Sequence, residues 1–73
     1  MVVPVRHVGD FTKLTDDELL EIHQDVRRAV QALTETMHPQ GFNVGINLGE
    51  AGGAGIRDHL HYHVVPRWNG DTN

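Results

Sequence analysis

Asp58-His59-Leu60-His61-Tyr62-His63-Val64-Val65-Pro66 is the stretch that decides how this chain is read. Polar and apolar residues alternate through it, the period of a strand with one face on a core. Residues two apart along a strand share a face and lie about 6.6 Å apart. His59, His61 and His63 therefore line one side, and Leu60, Tyr62 and Val64 line the other. Leu60 and Val64 belong in a core, so the histidine side is the accessible one. The expected strand covers roughly residues 58–66 and ends at Pro66.

Three adjacent imidazoles would repel one another if all were charged, so at least some are neutral. A neutral imidazole with one nitrogen held by a hydrogen bond offers the other as a nucleophile or a metal ligand. A lone histidine on a strand is usually a partly buried polar residue, but three in alternation opposite apolar residues are an odd choice for structure alone. Two chemistries compete for them. Three neutral histidines can hold Zn²⁺ and leave a fourth position open for water. Alternatively, they can face a phosphate.

The residues upstream favour phosphate. Phe42, Val44, Ile46 and Leu48 alternate with Asn43, Gly45, Asn47 and Gly49, which predicts a strand over 42–48 with its apolar side on the core. The other side is reduced to glycine and asparagine, leaving room for a ligand to lie on it. Residues 49–55 then hold four glycines in seven, and backbone N–H groups of such a turn can converge on an anion.

Working further towards the N-terminus, Thr15 and Glu18 form a T-x-x-E capping box, with Asp16 and Asp17 at the positive end of the helix dipole. Leu19, Ile22, Val26, Ala29 or Val30, Leu33 and Met37 recur at helical spacing, while Glu21, Gln24, Asp25, Arg28 and Glu35 occupy the other sides. His38-Pro39-Gln40-Gly41 breaks the pattern. The predicted helix spans about 16–37, with His23 and His38 as solvated positions. Residues 2–8, Val-Val-Pro-Val-Arg-His-Val, read as a strand at an edge or strand end because of Pro4, and a loop over 9–13 joins it to the helix.

Composition sets the limits. A chain of 73 residues makes one small domain with a marginal core. It has no cysteine, so disulfides are excluded; a reducing cytoplasm is the expected setting. A net charge of −4 is unlike a nucleic-acid-binding surface. No apolar run reaches the length of a membrane span, and no signal peptide is visible. The elements expected are a strand, one long helix, a strand, a glycine loop and a last strand.

His59-Leu60-His61-Tyr62-His63-Val64-Val65 resembles the H-φ-H-φ-H-φ-φ signature of the histidine-triad (HIT) superfamily. Gly41-Phe42-Asn43-Val44-Gly45-Ile46-Asn47-Leu48-Gly49 is similar to that family's central strand, and Val2-Val3-Pro4-Val5-Arg6-His7-Val8 to the strand before its long helix. Val65-Pro66-Arg67-Trp68-Asn69-Gly70-Asp71-Thr72-Asn73 resembles bacterial members grouped with diadenosine polyphosphate phosphorylases and hydrolases.

The resemblance implies a HIT-like fold, an α+β domain made of an antiparallel sheet with one long helix, and an enzyme that attacks an α-phosphate of a nucleotide or dinucleoside polyphosphate without a cofactor. It makes His61 the nucleophile that forms a nucleotidyl-histidine. It gives His63 a phosphate contact and a part in protonating the leaving group, and has His59 support the geometry through its carbonyl. Asn47, Gly53, Ala54 and Gly55 would stabilise the phosphate, with His7 near the triad. Arg57 and Arg67 either attract phosphate or are solvated, and Trp68 is a packing or dimer contact rather than a stacking platform for a base. The family pattern also implies a homodimer, and a partial domain over 1–73 in which the family's earlier strands, with their acidic ribose-binding residue, and its final strand are missing. The rival readings are a three-histidine metal-binding protein and a catalytically silent nucleotide-binding or dimerisation module.

Overall fold

A helix bounded by local signals comes first. In a computed structural model, which describes residues 10–49 and 60–71, a short 3-10 turn at Phe11–Lys13 leads into helix α1, Asp16–Met37. The turn occupies most of the loop expected over 9–13. Asp10 holds it, its carboxylate accepting from the Thr12 backbone N–H at 2.9 Å and the Thr12 hydroxyl at 2.7 Å. Those Thr12 bonds, side-chain bond first, hold the Asp10 carboxyl below its ordinary value.

The capping box forms in both directions. The Glu18 N–H donates to Thr15 Oγ1 at 3.1 Å, and the Thr15 N–H donates to Glu18 Oε1 at 2.8 Å. Two N–H groups without intrahelical partners are thereby satisfied. The helix stops at His38, whose φ of 48° is left-handed, and its N–H still reaches the Thr34 carbonyl at 3.2 Å. Pro39 then disfavours any continuation, since the residue before a proline avoids the helical region. The predicted boundaries of 16–37 are those observed.

The strands β1, Gly41–Ile46, and β2, Tyr62–Arg67, pair antiparallel from Gly41 opposite Arg67 to Ile46 opposite Tyr62. β1 is shorter than the expected 42–48 at its far end. β2 runs through Pro66, which sits opposite Phe42, rather than ending there. A proline is accommodated in such a ladder where its nitrogen points away from the partner strand. The α+β class with an antiparallel sheet and one long helix is therefore observed. The expected strand over 2–8 lies outside the described residues, as do residues 58 and 59 of the histidine strand.

The core lies between α1 and β2. Leu14, Ile22, Val26, Leu60 and Tyr62 are buried, and Phe11, Leu19, Val30, Ile46 and Val64 pack around them. Ile22, at 2% exposed, is the deepest of these. Because α1 contacts β2, the apolar side of β1 is only partly covered. Ile46 reaches the core, but Val44 and Leu48 remain 45% and 46% exposed. That corrects the expectation that all of 42–48's apolar side is buried. Met37, at the end of the helical stripe, is likewise exposed. Among the described residues no helix is long and apolar enough to cross a membrane.

Candidate functional site

Burial of Leu60 and Tyr62 decides which way the histidines point. With those side chains in the core and Val64 packed against it, strand alternation turns His61 and His63 to the opposite face. Their rings lie edge to face, centroids 5.1 Å apart at 90°. Both are half-buried.

The register supplies the surroundings. His63 pairs with Gly45, and directly opposed residues of an antiparallel ladder project to the same side. A Cβ placed on Gly45 meets nothing within 4 Å among the described residues. Asn47 and His61 are the residues that follow and precede the last described pair, Ile46–Tyr62. The Asn43 and Gly45 side of β1 and the His63 side of β2 thus share one face. His7, Gly53, Ala54, Gly55 and His59 lie outside the described residues, as does Arg57.

Behind this surface, the Tyr62 hydroxyl meets His23 Nε2 at 3.3 Å, and the two rings stand edge to face with centroids 5.3 Å apart. His23 is therefore not merely solvated, as sequence reasoning had it. A buried tyrosine needs a partner for its hydroxyl, and α1 provides one directly behind the strand segment that carries both histidines. His23 is itself exposed, so the helical stripe does not mark it, and the contact shows only once Tyr62 is placed.

The other end of the surface is closed by a clamp. The Arg67 guanidinium donates from Nε to the two Asp71 carboxylate oxygens at 3.1 Å and 2.9 Å. Its Nη2 reaches Asp71 Oδ1 at 2.6 Å, and its Nη1 reaches Asn43 Oδ1 at 2.7 Å. Asp71 also accepts the Trp68 N–H at 2.9 Å, and Asn69's N–H reaches Gln40 Oε1. Gly70, at φ 86°, lets the chain turn back; a side chain there would be strained. Arg67 first, then the Trp68 N–H, lowers the Asp71 carboxyl to about 2, and the same pairing raises Arg67. Arg67 is thus ion-paired rather than merely solvated; it ties the β2 end to the turn and to β1. Trp68 is partly exposed, with its backbone rather than its ring in the clamp.

Among the described residues, the arrangement offers two adjacent imidazoles on one face, backed by a packed tyrosine and ended by an ion-paired arginine. Such a pair can attack an electrophile with one nitrogen and exchange a proton with another.

Comparison with known proteins places this surface in a family. The chain is 47% identical over all 73 residues to the AP-4-A phosphorylase of Mycobacterium tuberculosis, covering 100% of this chain and 37% of that protein. It is 31% identical over 71 residues to the asymmetrical bis(5'-nucleosyl)-tetraphosphatase of Schizosaccharomyces pombe, covering 97% of this chain and 38% of that protein. The chain thus spans well under half the length of both. A crystal structure of a Hit-like protein involved in cell-cycle regulation from Bartonella henselae superposes with a TM-score of 0.84, covering 96% of this chain and 53% of that one. At 20% identity that likeness establishes the HIT-like fold alone. The HIT domain family matches residues 1–70, and the chain belongs to it.

Proposed function

We propose that this chain carries the reactive strand of a nucleotide hydrolase or nucleotidyl transferase acting at the α-phosphate of a dinucleoside polyphosphate or related nucleotide. The carrying observation is the pair formed by His63 of β2 and His61 just before it, rings 5.1 Å apart, set against the buried Leu60 and Tyr62. Relatives named for AP-4-A phosphorolysis and for bis(5'-nucleosyl)-tetraphosphate cleavage support the substrate class.

The reaction has two displacements. A ring nitrogen of His61 attacks the α-phosphorus, a P–N bond forms, and the bond from phosphorus to the bridging oxygen of the polyphosphate breaks. His63, beside it, gives a proton to the departing oxygen. An oxygen of water or inorganic phosphate then attacks phosphorus, the P–N bond breaks, and AMP or ADP leaves. Splitting one displacement into two lowers each barrier. His59 supports the ring geometry of His61 through its carbonyl. The Asn47 amide and backbone N–H groups of Gly53, Ala54 and Gly55 hold the charge that develops on phosphate, with His7 close to the triad. No cofactor takes part.

Homodimerisation belongs to the same reading. Among the described residues β1 is paired on one side only, and Val44 on it and Leu48 just beyond it are exposed; sedimentation at micromolar concentration tests this. The reading assigns the chain to the cytoplasm, which its cysteine-free sequence accommodates.

The deciding experiment is turnover of diadenosine tetraphosphate in EDTA, with and without phosphate. ADP plus ATP formed only with phosphate identifies a phosphorylase, and AMP plus ATP without it a hydrolase. Activity removed by EDTA and restored by zinc would favour a three-histidine metal site instead. Nucleotide binding without turnover would identify a silent binding module.

A further inference from the structure

We infer that Gly45 sets the size of the leaving group that can reach His63, an inference that rests on the reaction proposed above. His63 donates its proton to the departing oxygen, so the leaving group lies beside that ring. Gly45 stands directly across the ladder from His63, and side chains at opposed positions start about 4.5–5.5 Å apart. Whatever touches His63 therefore passes within one side-chain length of position 45.

The fold itself does not ask for glycine there. Gly45 does not have a left-handed φ, and an added Cβ meets no described atom within 4 Å. Glycine inside a strand loses more backbone entropy on folding than other residues and packs nothing. A β-branched residue would suit the strand better. A position that costs stability, has room for a side chain and faces the proposed proton donor is explained by what must lie above it. Neighbouring positions on the same face are filled: Asn43 accepts from Arg67, and Val65 is the residue opposite it. Gly45 is the gap between that closed end and the histidines.

The consequence concerns substrate choice. A dinucleoside tetraphosphate expels a nucleoside triphosphate, which must extend from His63 across position 45. A nucleoside 5'-phosphoramidate expels only ammonia as its P–N bond breaks, with the proton again supplied by His63. Both reactions leave the same nucleotidyl-histidine, so their second steps are identical and the comparison isolates the leaving group.

The test measures kcat/KM for diadenosine tetraphosphate and adenosine 5'-phosphoramidate with the full chain and with Gly45→Val, alongside thermal melting. The ratio of the first to the second is expected to fall at least tenfold, the scale on which small changes in pocket volume discriminate substrates, while Tm holds or rises. Gly45→Ala should move the ratio the same way by less, which covers a valine variant that misfolds. A ratio that falls less than tenfold in a folded valine variant overturns the inference, as does equal loss on both substrates with a lowered Tm. An unaltered chain that turns over neither substrate overturns the reaction itself; an active chain with an unmoved ratio overturns only the role of Gly45.

Discussion

The two ends of β2 share one strand and one face, yet they are built in opposite ways. At the Arg67 end the polar groups are tied to each other: the guanidinium engages Asp71 and Asn43, and the turn closes onto Gln40. At the His61 end the two rings contact each other and face a glycine across the ladder. The closed end fixes register, since a slip of one residue would turn every side chain to the wrong face. The open end can then present histidines without supplying cohesion of its own. Rigidity and reactivity are separated along about four residues of one strand.

The sharpest way to test that separation is to remove the reactive group and watch both properties. His61→Ala is expected to reduce turnover of diadenosine tetraphosphate about a thousandfold or more, as loss of a nucleophile does. Its side chain is half-buried on the ligand side rather than in the core, so stability should shift by only about 0.5 kcal/mol. Chemical denaturation and a kinetic assay on the same preparation read both. A large stability loss would mean that the open end also holds the fold together, and the contrast would collapse.

Between the two ends lies Tyr62, which is 7% exposed and bonded to His23. Tyr62→Phe keeps the ring and removes the hydroxyl, leaving His23 to water. The expected loss is about 1 kcal/mol, the net value of a typical hydrogen bond. His23→Ala should cost a similar amount, and the double variant less than the sum. Additive losses in denaturant melts would show that the 3.3 Å contact carries no coupling and that α1 supports the strand through Ile22 and Val26 alone.

How far the sequence foretells this molecule depends on how local each signal is. The helix was legible to the residue because its limits are set within four positions, by the Thr15–Glu18 box and by Pro39. The histidine face was legible because alternation fixes sides whatever the strand pairs with. The far end of β1 was not, since burial of Val44 and Leu48 depends on what covers them, and α1 lies on β2. His23 was missed because its partner is 39 positions away and the contact shows only once Tyr62 is placed. The Arg67–Asp71 clamp was missed for a related reason. Asn69-Gly70-Asp71 reads as a turn, but nothing in the string says that the turn folds a carboxylate back onto the strand it leaves. Of the proposed phosphate-binding residues Asn47 lies just past the end of β1, while Gly53, Ala54 and Gly55 lie outside the described residues.

The smallest effect belongs to the closed end and sharpens the comparison through pH. Asp71 titrates at about 2 in the folded chain, against an ordinary 3.8, because Arg67 and the Trp68 N–H favour its charged form. A lowered folded value means that the carboxylate stabilises the fold fully above its unfolded value. That contribution shrinks as pH falls through the folded value and is gone below it. Asp71→Asn removes the ionisation while keeping an acceptor for Arg67. The Tm gap between the unaltered chain and this variant should therefore be small and constant from neutral pH down to about 4. It should then close as pH approaches about 2. Other carboxylates titrate in both proteins and cancel in the difference. Turnover at neutral pH should change far less than in His61→Ala, because the clamp acts on register and not on phosphate. Parallel Tm curves across the acid range would show that Arg67 and Asp71 do not hold the strand end. A turnover loss as large as that of His61→Ala would show that the closed end serves the chemistry after all.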